Sequence, residues 1–528
     1  MLAEIFENFR THSINAYKLD PSAFVSAPSL SMASNLHLSG SEIELIRDST
    51  FSAMLKNNLR GGFVCLNTPY TKFNTPGTEG YDKNKPNSYG LFLDVNSLYA
   101  TVMTSKLPAG KHETLTEDEV ANFDFINTSA TEEYSYFLLI DFNINEAKKF
   151  ETDDFPLAII KKTCTSADHS EYTKKLYEKT KSKMVKSTKL VACHESQKEY
   201  LITLDLLQTL IKHGLEVTKI HRIDKFKQST CFKSFIENNI KMRTEASTPH
   251  EKNFYKLMSN VLYGKCLYDP RNHAFITKLI NTQRGFNLNC NNHLLRECTP
   301  IGQDQLLMKF ALAKIKMNTP NQIGFAILDK AKKIMYDFFY DVLKKEYNDK
   351  VNLIYTDTDS FLLKFEVDNI FDEMAKEPLK SWMDTSNFPS DHKLFSLKNK
   401  GVLGKMKSET GANLPVEVIC LAPKCYSIKL ANNIVKSANK GVPYANQKEL
   451  THDKFLMIYN DELQIMNVKV TSIISTHCNV RTKTQNKRCL SKRDDKRVYL
   501  GPNETRAYGY PNLTKSVQDE KTFHENEF

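Results

Sequence analysis

The stretch LIYTDTDSFLLKF (residues 353–365) constrains the fold more than any other part of the chain. Apolar residues on both sides suit a buried strand, yet Asp357 and Asp359 interrupt it with a single Thr between them. Two carboxylates so close cannot both be buried as bare anions, because they repel and one would be forced to protonate. One reading is a hairpin turn, for which Asp and Thr are suitable residues. The other is a bound divalent cation whose charge removes the repulsion.

A third isolated acid, Asp94 in LFLDVNSLYA, gives three carboxylates on or next to strands. Mg²⁺ is commonly held by one or two such groups together with substrate phosphates and water. Two ions roughly 3.5–4 Å apart would clamp the attacking and departing oxygens of an in-line phosphoryl displacement. The segment EKNFYKLMSNVLYGK has a helical pattern that puts Lys252, Lys256, Asn260, Tyr263 and Gly264 on one stripe. Arg243, at the end of the preceding helix, can face the same space. Three cations suit a triphosphate, with Arg offering bidentate contacts and the lysines point charges. A solvated Lys face is the alternative reading.

The chain of 528 residues carries a formal net charge of +10, which favours a polyanionic partner without identifying one. The N-terminus lacks the basic flank and apolar core of a signal peptide, and no apolar run is long enough for a membrane span, so a soluble, intracellular protein of open compartment is expected. Eleven cysteines lack any Cys-x-x-Cys pair. His477-Cys478 has no second half, so free thiols are expected rather than a metal or disulfide framework. Residues 70–90 read as a surface loop, 136–144 as a buried strand and 170–200 as a Lys-rich polar insertion. Two helices are expected over 228–263, joined by TEASTPH, and one amphipathic helix from Ile327 to Leu343. In RTKTQNKRCLSKRDDKR (481–497) eight of seventeen residues are Lys or Arg, which suits either a solvated face or phosphate contact. Helices and strands mix without repetition, which predicts an α+β architecture.

Together these stretches resemble a known family. DVNSLY (94–99), KLMSNVLYG (256–264) and YTDTDS (355–360) look like the three signature motifs of family B DNA polymerases, in the expected order. NNLRGGFVCLN (57–67) is similar to the element that links exonuclease and polymerase modules in protein-primed members. APKCYSIKL (422–430) resembles the Lys-x-Tyr motif that contacts the primer terminus. KRDDKRVYL and RAYGY (492–510) look like the tail of polymerases from Polinton-type self-synthesising elements and adintovirus-like viruses.

The resemblance implies a right-hand polymerase with palm, fingers and thumb, plus insertions of the protein-primed type. It implies a junction and linker over 1–87, a first palm part with an insertion over 88–205 and fingers over 206–265. A second insertion over 266–300, a second palm part over 301–427 and a thumb with its tail over 428–528 complete the order. Asp94 and Asp357 would be metal ligands, assisted by the Val95 carbonyl, with Asp359 close by as a catalytic carboxylate. Ser97 and Leu98 would offer N–H groups to the phosphates, and Tyr99 would lie under the sugar as a steric gate. Arg243, Lys252 and Lys256 would hold the triphosphate, while Asn260, Tyr263 and Gly264 would line the base-pair pocket. Arg60, Gly61, Gly62, Lys424 and Tyr426 would contact primer and template. The implied cofactor is a pair of Mg²⁺ ions, with Mn²⁺ as a substitute. The implied partners are primer–template DNA, dNTPs and a terminal protein primer, with no membrane.

Three departures qualify the resemblance. Ala100 stands where the family usually has Pro, and Val261 where Ser is usual; neither touches the metal chemistry. Only 59 residues precede Arg60, which leads to the expectation of no 3′–5′ exonuclease in this chain. The rival readings are a reverse transcriptase, against which the Asp-Thr-Asp spacing argues, and a catalytically inactive DNA-binding remnant of such a polymerase.

Overall fold

A computed structural model describes residues 2–129, 133–181, 183, 186–476 and 479–511. At its centre is a six-stranded sheet in the order Val64–Leu66, Val351–Asp357, Ser360–Phe365, Tyr89–Val95, Met406–Ser408, Met383–Asp384. All its pairings are antiparallel except the last. Both faces of this sheet are covered, which is why its strands read as nearly continuous apolar runs rather than alternating ones. Leu91, Leu93, Phe361 and Leu363 pack into one core with Phe338 and Phe339. Phe92, Ile354, Tyr355 and Leu362 pack into another with Val418, Cys420 and Ile428. A bulge between Leu353 and Tyr355 lets consecutive residues Ile354 and Tyr355 serve the same core.

The second core lies under a four-stranded sheet of Val435–Asn439, Cys425–Leu430, Pro415–Ala422 and Tyr70–Lys72. On its far side pack the helix His452–Tyr459 and a long hairpin, Met466–Thr476 with Asn479–Leu490. A separate four-stranded sheet joins Leu107–Thr114, Leu215–Ser229, Tyr134–Ile144 and Gln197–Thr203, so the buried strand expected at 136–144 is present. The Lys-rich stretch includes the helix Glu171–Lys179 and the strand Ser187–Cys193.

The expected helix pair is present as Lys233–Glu245 and Pro249–Cys266. Thr248 caps the second helix through a capping box with Glu251, and Pro249 occupies the first turn, where its missing N–H costs nothing. The N-terminal helices hold this pair from behind. Tyr17 donates to Asn239 Oδ1 at 2.7 Å, Asn239 donates to Ser259 Oγ at 3.1 Å, and Ser31 donates to the Met258 carbonyl at 2.7 Å.

The structure adds detail to several expectations. The amphipathic helix begins earlier, at Asn321, and after Tyr336 continues as a π-helix over Asp337–Lys344. This π segment buries Phe338, Phe339, Tyr340, Val342 and Leu343. The loop after Lys72 is internally braced: Asn74 Nδ2 donates to the carbonyls of Asp82, Lys85 and Pro86 at 2.9–3.1 Å. A three-stranded unit of Phe275–Ile280, Leu295–Gly302 and Gln305–Ala311 runs past residue 300, because its central strand comes last in the chain. The division expected between 427 and 428 falls inside the strand Cys425–Leu430. The ten described cysteines are unpaired; His477 and Cys478 lie outside the described residues.

The basic run divides in two. Residues 481–486 are exposed on the hairpin, whereas Asp494, Asp495 and Arg497 are buried. Arg497 donates to Asp153 Oδ2 at 2.9 Å, to the Asp153 carbonyl at 2.8 Å and to Thr505 Oγ1 at 2.8 Å. The same Asp153 accepts from the Ala507 N–H at 2.8 Å, so one ion pair locks the C-terminal segment to the body. Removing one partner of a buried pair leaves the other charge stranded. Arg497→Ala is therefore expected to lower unfolding free energy by about 3–5 kcal/mol. Exposed Lys483→Ala is expected to stay within about 0.5 kcal/mol. Urea unfolding of both variants checks this.

Candidate active site

Hairpin register builds the site. Asp357 pairs with Ser360, and Ser360 pairs in turn with Asp94 on the next strand. The Val95 N–H donates to the Asp359 carbonyl at 2.8 Å. Carboxylates from remote parts of the sequence thus share one end of one sheet. Thr358 takes a left-handed conformation, φ 61°, and its N–H donates to the Phe63 carbonyl at 2.8 Å, which pins the turn.

The electrostatics are strained. Burial pushes the Asp94 carboxyl up to about 7, helped by the charges of Asp359 and Glu409 and opposed by Lys256 and Lys436. Asp359 is raised as well, by burial first and then by the charge of Asp357. Lys424, in the left-handed turn before its strand, donates from Nζ to Asp357 Oδ1 at 2.9 Å. The Tyr355 hydroxyl lies 3.3 Å from Asp357 Oδ2. Among the described residues no three His, Cys, Asp or Glu side chains form a closed metal cluster. The donors are hard oxygens with more negative charge than their neighbours balance. Such a set fits a divalent cation that takes its remaining ligands from phosphate and water.

The helix Pro249–Cys266 supplies the opposite wall. Its buried side holds Phe254, Tyr255, Met258, Ser259 and Leu262, which leaves Lys252, Lys256, Asn260 and Gly264 exposed, with Tyr263 half-buried. The Tyr263 ring stacks on Tyr99 with centroids 4.2 Å apart and planes at 26°. Burial and that neighbour raise the Tyr99 phenol. Arg243 is exposed in the last turn of the preceding helix. Ser97 is left-handed, φ 53° and ψ 59°, and starts the short helix Leu98–Met103 that carries Tyr99. Tyr426 stands edge-on to Phe92 at 5.9 Å and lies 5.4 Å from the Tyr355 ring.

Arg60 is placed otherwise than expected for a DNA contact. It is 6% exposed, its guanidinium lies 3.5 Å above the Tyr200 ring, and it donates to the Leu201 carbonyl and to Asn58. Within this structure it fastens the linker to the body. Gly61 faces open space, whereas a Cβ at Gly62 would meet Thr358 Oγ1 at 2.4 Å. The second glycine is therefore required by the Asp-Thr-Asp turn. Sequence reasoning missed Glu409 and Lys436, an ion pair beside Asp94, because nothing in KSETG (407–411) or IVKSAN (434–439) marks them.

The profile of the family described as DNA polymerase type B, organellar and viral, matches residues 2–344. Phi29 DNA polymerase in an orthorhombic crystal form is similar, with TM-score 0.53 and 18% identity over 87% of this chain and 67% of that one. Its ternary complex with primer-template DNA and incoming nucleotide substrates gives TM-score 0.51 and 16% identity, covering 89% and 68%. Its post-translocation complex with primer-template DNA gives 0.50 and 16%, covering 88% and 68%. No curated protein sequence matches the chain. The structural likenesses show the fold, a right-hand architecture shared with phi29 DNA polymerase. The chain belongs to the type B DNA polymerases of the organellar and viral family. Among the described residues no helix is long and apolar enough to cross a membrane.

Gly62→Ala is expected to destabilise the protein by roughly 1–3 kcal/mol through overpacking against Thr358, while Gly61→Ala is near neutral. Denaturant midpoints of the two variants, measured side by side, check the difference.

Proposed function

We propose that the protein adds dNTPs to a primer 3′-hydroxyl on a DNA template, in replication of a virus or self-synthesising mobile element. The observation that carries this reading is the convergence of Asp94, Asp357 and Asp359 at one end of the central sheet, facing a lysine-bearing helix. In this reading the central sheet is the palm, the helix pair Lys233–Glu245 and Pro249–Cys266 the fingers, and the unit around Met466–Leu490 the thumb.

Asp94 and Asp357, with the Val95 carbonyl, would hold Mg²⁺ or Mn²⁺, and Asp359 would add charge beside them. Two such ions, when bound, lower the pKa of the primer hydroxyl and stabilise the pyrophosphate leaving group. Arg243, Lys252 and Lys256 bind the triphosphate and neutralise charge, and the N–H groups of Ser97 and Leu98 orient it. Tyr99, braced by Tyr263, supports the sugar and excludes a 2′-hydroxyl. Asn260 and Gly264 border the nascent base pair. Lys424 and Tyr426 position the primer end, with Gly61 and Gly62 in the linker beside it. Catalysis is chiefly positioning and charge stabilisation in a site from which water is excluded. A terminal protein as primer is the finer part of the proposal; it draws its support from the sequence motifs alone.

Primer extension with purified protein, Mg²⁺ and dNTPs tests the reading. Asp357→Asn is expected to lose on the order of 10²–10³-fold or more in incorporation rate, while primer–template binding stays nearly unchanged. A wild-type protein that binds DNA but never extends the primer would support the inactive remnant instead.

A further inference from the structure

Asn96, between the strand that carries Asp94 and the turn at Ser97, is fixed through its N–H, its carbonyl and its side-chain Nδ2. Its N–H donates to the Lys405 carbonyl at 2.8 Å, and its carbonyl accepts from the Gly404 N–H at 3.1 Å. Its side-chain Nδ2 donates to Asp384 Oδ2 at 2.7 Å and reaches the Val402 carbonyl at 3.3 Å. All four partners lie in the loop that joins the strands Met383–Asp384 and Met406–Ser408 or at its start.

Asp384 anchors this arrangement. It is fully buried, and its carboxylate also accepts from the Gly401 N–H at 3.0 Å and the Ser386 N–H at 3.0 Å. A buried carboxylate with three N–H donors is held rigidly, and the charge-assisted bonds are the strong kind. The loop meets the site at close quarters. Gly404 has φ +76°, and a Cβ there would lie 3.0 Å from Thr101 in the helix that carries Tyr99. Lys407 is registered opposite Asp94, and Met406 opposite Val95.

From this geometry we infer that Asp384 is a positioning residue for the incoming nucleotide, acting through Asn96. The buried carboxylate orients the Asn96 amide, which presets the left-handed turn at Ser97 between Asp94 and Tyr99. Nucleotide-contacting groups on both sides of that turn are then in place before substrate arrives, so binding does not have to order them. The proposal rests on the polymerase reading above.

Asp384→Asn keeps the volume and removes the charge; Asn96→Ala removes the amide from the other side and carries the test if Asp384→Asn does not fold. Affinity for the correct dNTP is measured by ternary-complex formation on a dideoxy-terminated primer–template, alongside primer–template affinity and thermal midpoint. Each variant is expected to weaken dNTP binding by about tenfold, with primer–template affinity within about twofold of wild type. The double variant is expected to be no worse than the worse single one, since both act through one bond. Unchanged dNTP affinity in a folded variant overturns the inference, as do losses that simply add. Failure of wild-type protein to extend a primer overturns the polymerase reading instead, which keeps the two failures distinct.

Discussion

The structure turns on the repulsion among carboxylates at one end of the central sheet. Asp94, Asp357 and Asp359 sit where the chain is half-buried, and burial together with mutual charge raises Asp94 and Asp359. Like charges this close persist only if the surroundings hold the backbone in place and supply counter-charge. Lys424 supplies part of it by direct contact with Asp357, and Lys256 and Lys436 supply more from farther off. What remains uncompensated is a demand for cations, which nucleotide triphosphates and divalent metals satisfy together.

Much of the rest of the fold serves to hold that end of the sheet. Phe63 pins the Thr358 turn from the linker strand, Gly62 makes room for it, and the buried Arg60 keeps the linker on the body. The π-helix packs Phe338 and Phe339 against Phe361 under the sheet. At the other end of the chain, Lys496 donates to the Val64 carbonyl at 3.0 Å, and Val64 is the register partner of Asp357. The tail is thus tied to the strand next to the carboxylates, while Arg497 ties it to Asp153.

The elements legible in the sequence were those with local causes. Thr248, Pro249 and Glu251 announce a helix start whatever the surroundings, and the spacing of Lys252, Lys256 and Asn260 forces them onto one face. The π-helix was not legible, because its apolar spacing also fits an α-helix, and Phe361 and Phe155, which pack on its Phe339, lie elsewhere in the chain. Arg60 was assigned to primer and template through the resemblance of NNLRGGFVCLN to a known linking element; its contacts with Tyr200 and the Leu201 carbonyl, far away in sequence, left no mark in that motif. In the basic run the exposed part fits the solvated reading, but charge pattern does not reveal that Asp153 pairs with the buried Arg497.

The sequence by itself determined the chemistry available: three isolated acids in apolar strands, a cationic helix face, and motifs ordered as in family B polymerases. Those follow from residue type and short-range spacing, which the chain carries wherever it folds. Only the tertiary structure decided which acids share an end of the sheet, which charges Glu409, Lys436 and Asp384 add, and which basic residues stay inside. The reason is that register and burial are set by contacts between residues hundreds apart, and such contacts leave no local mark on the residues that make them.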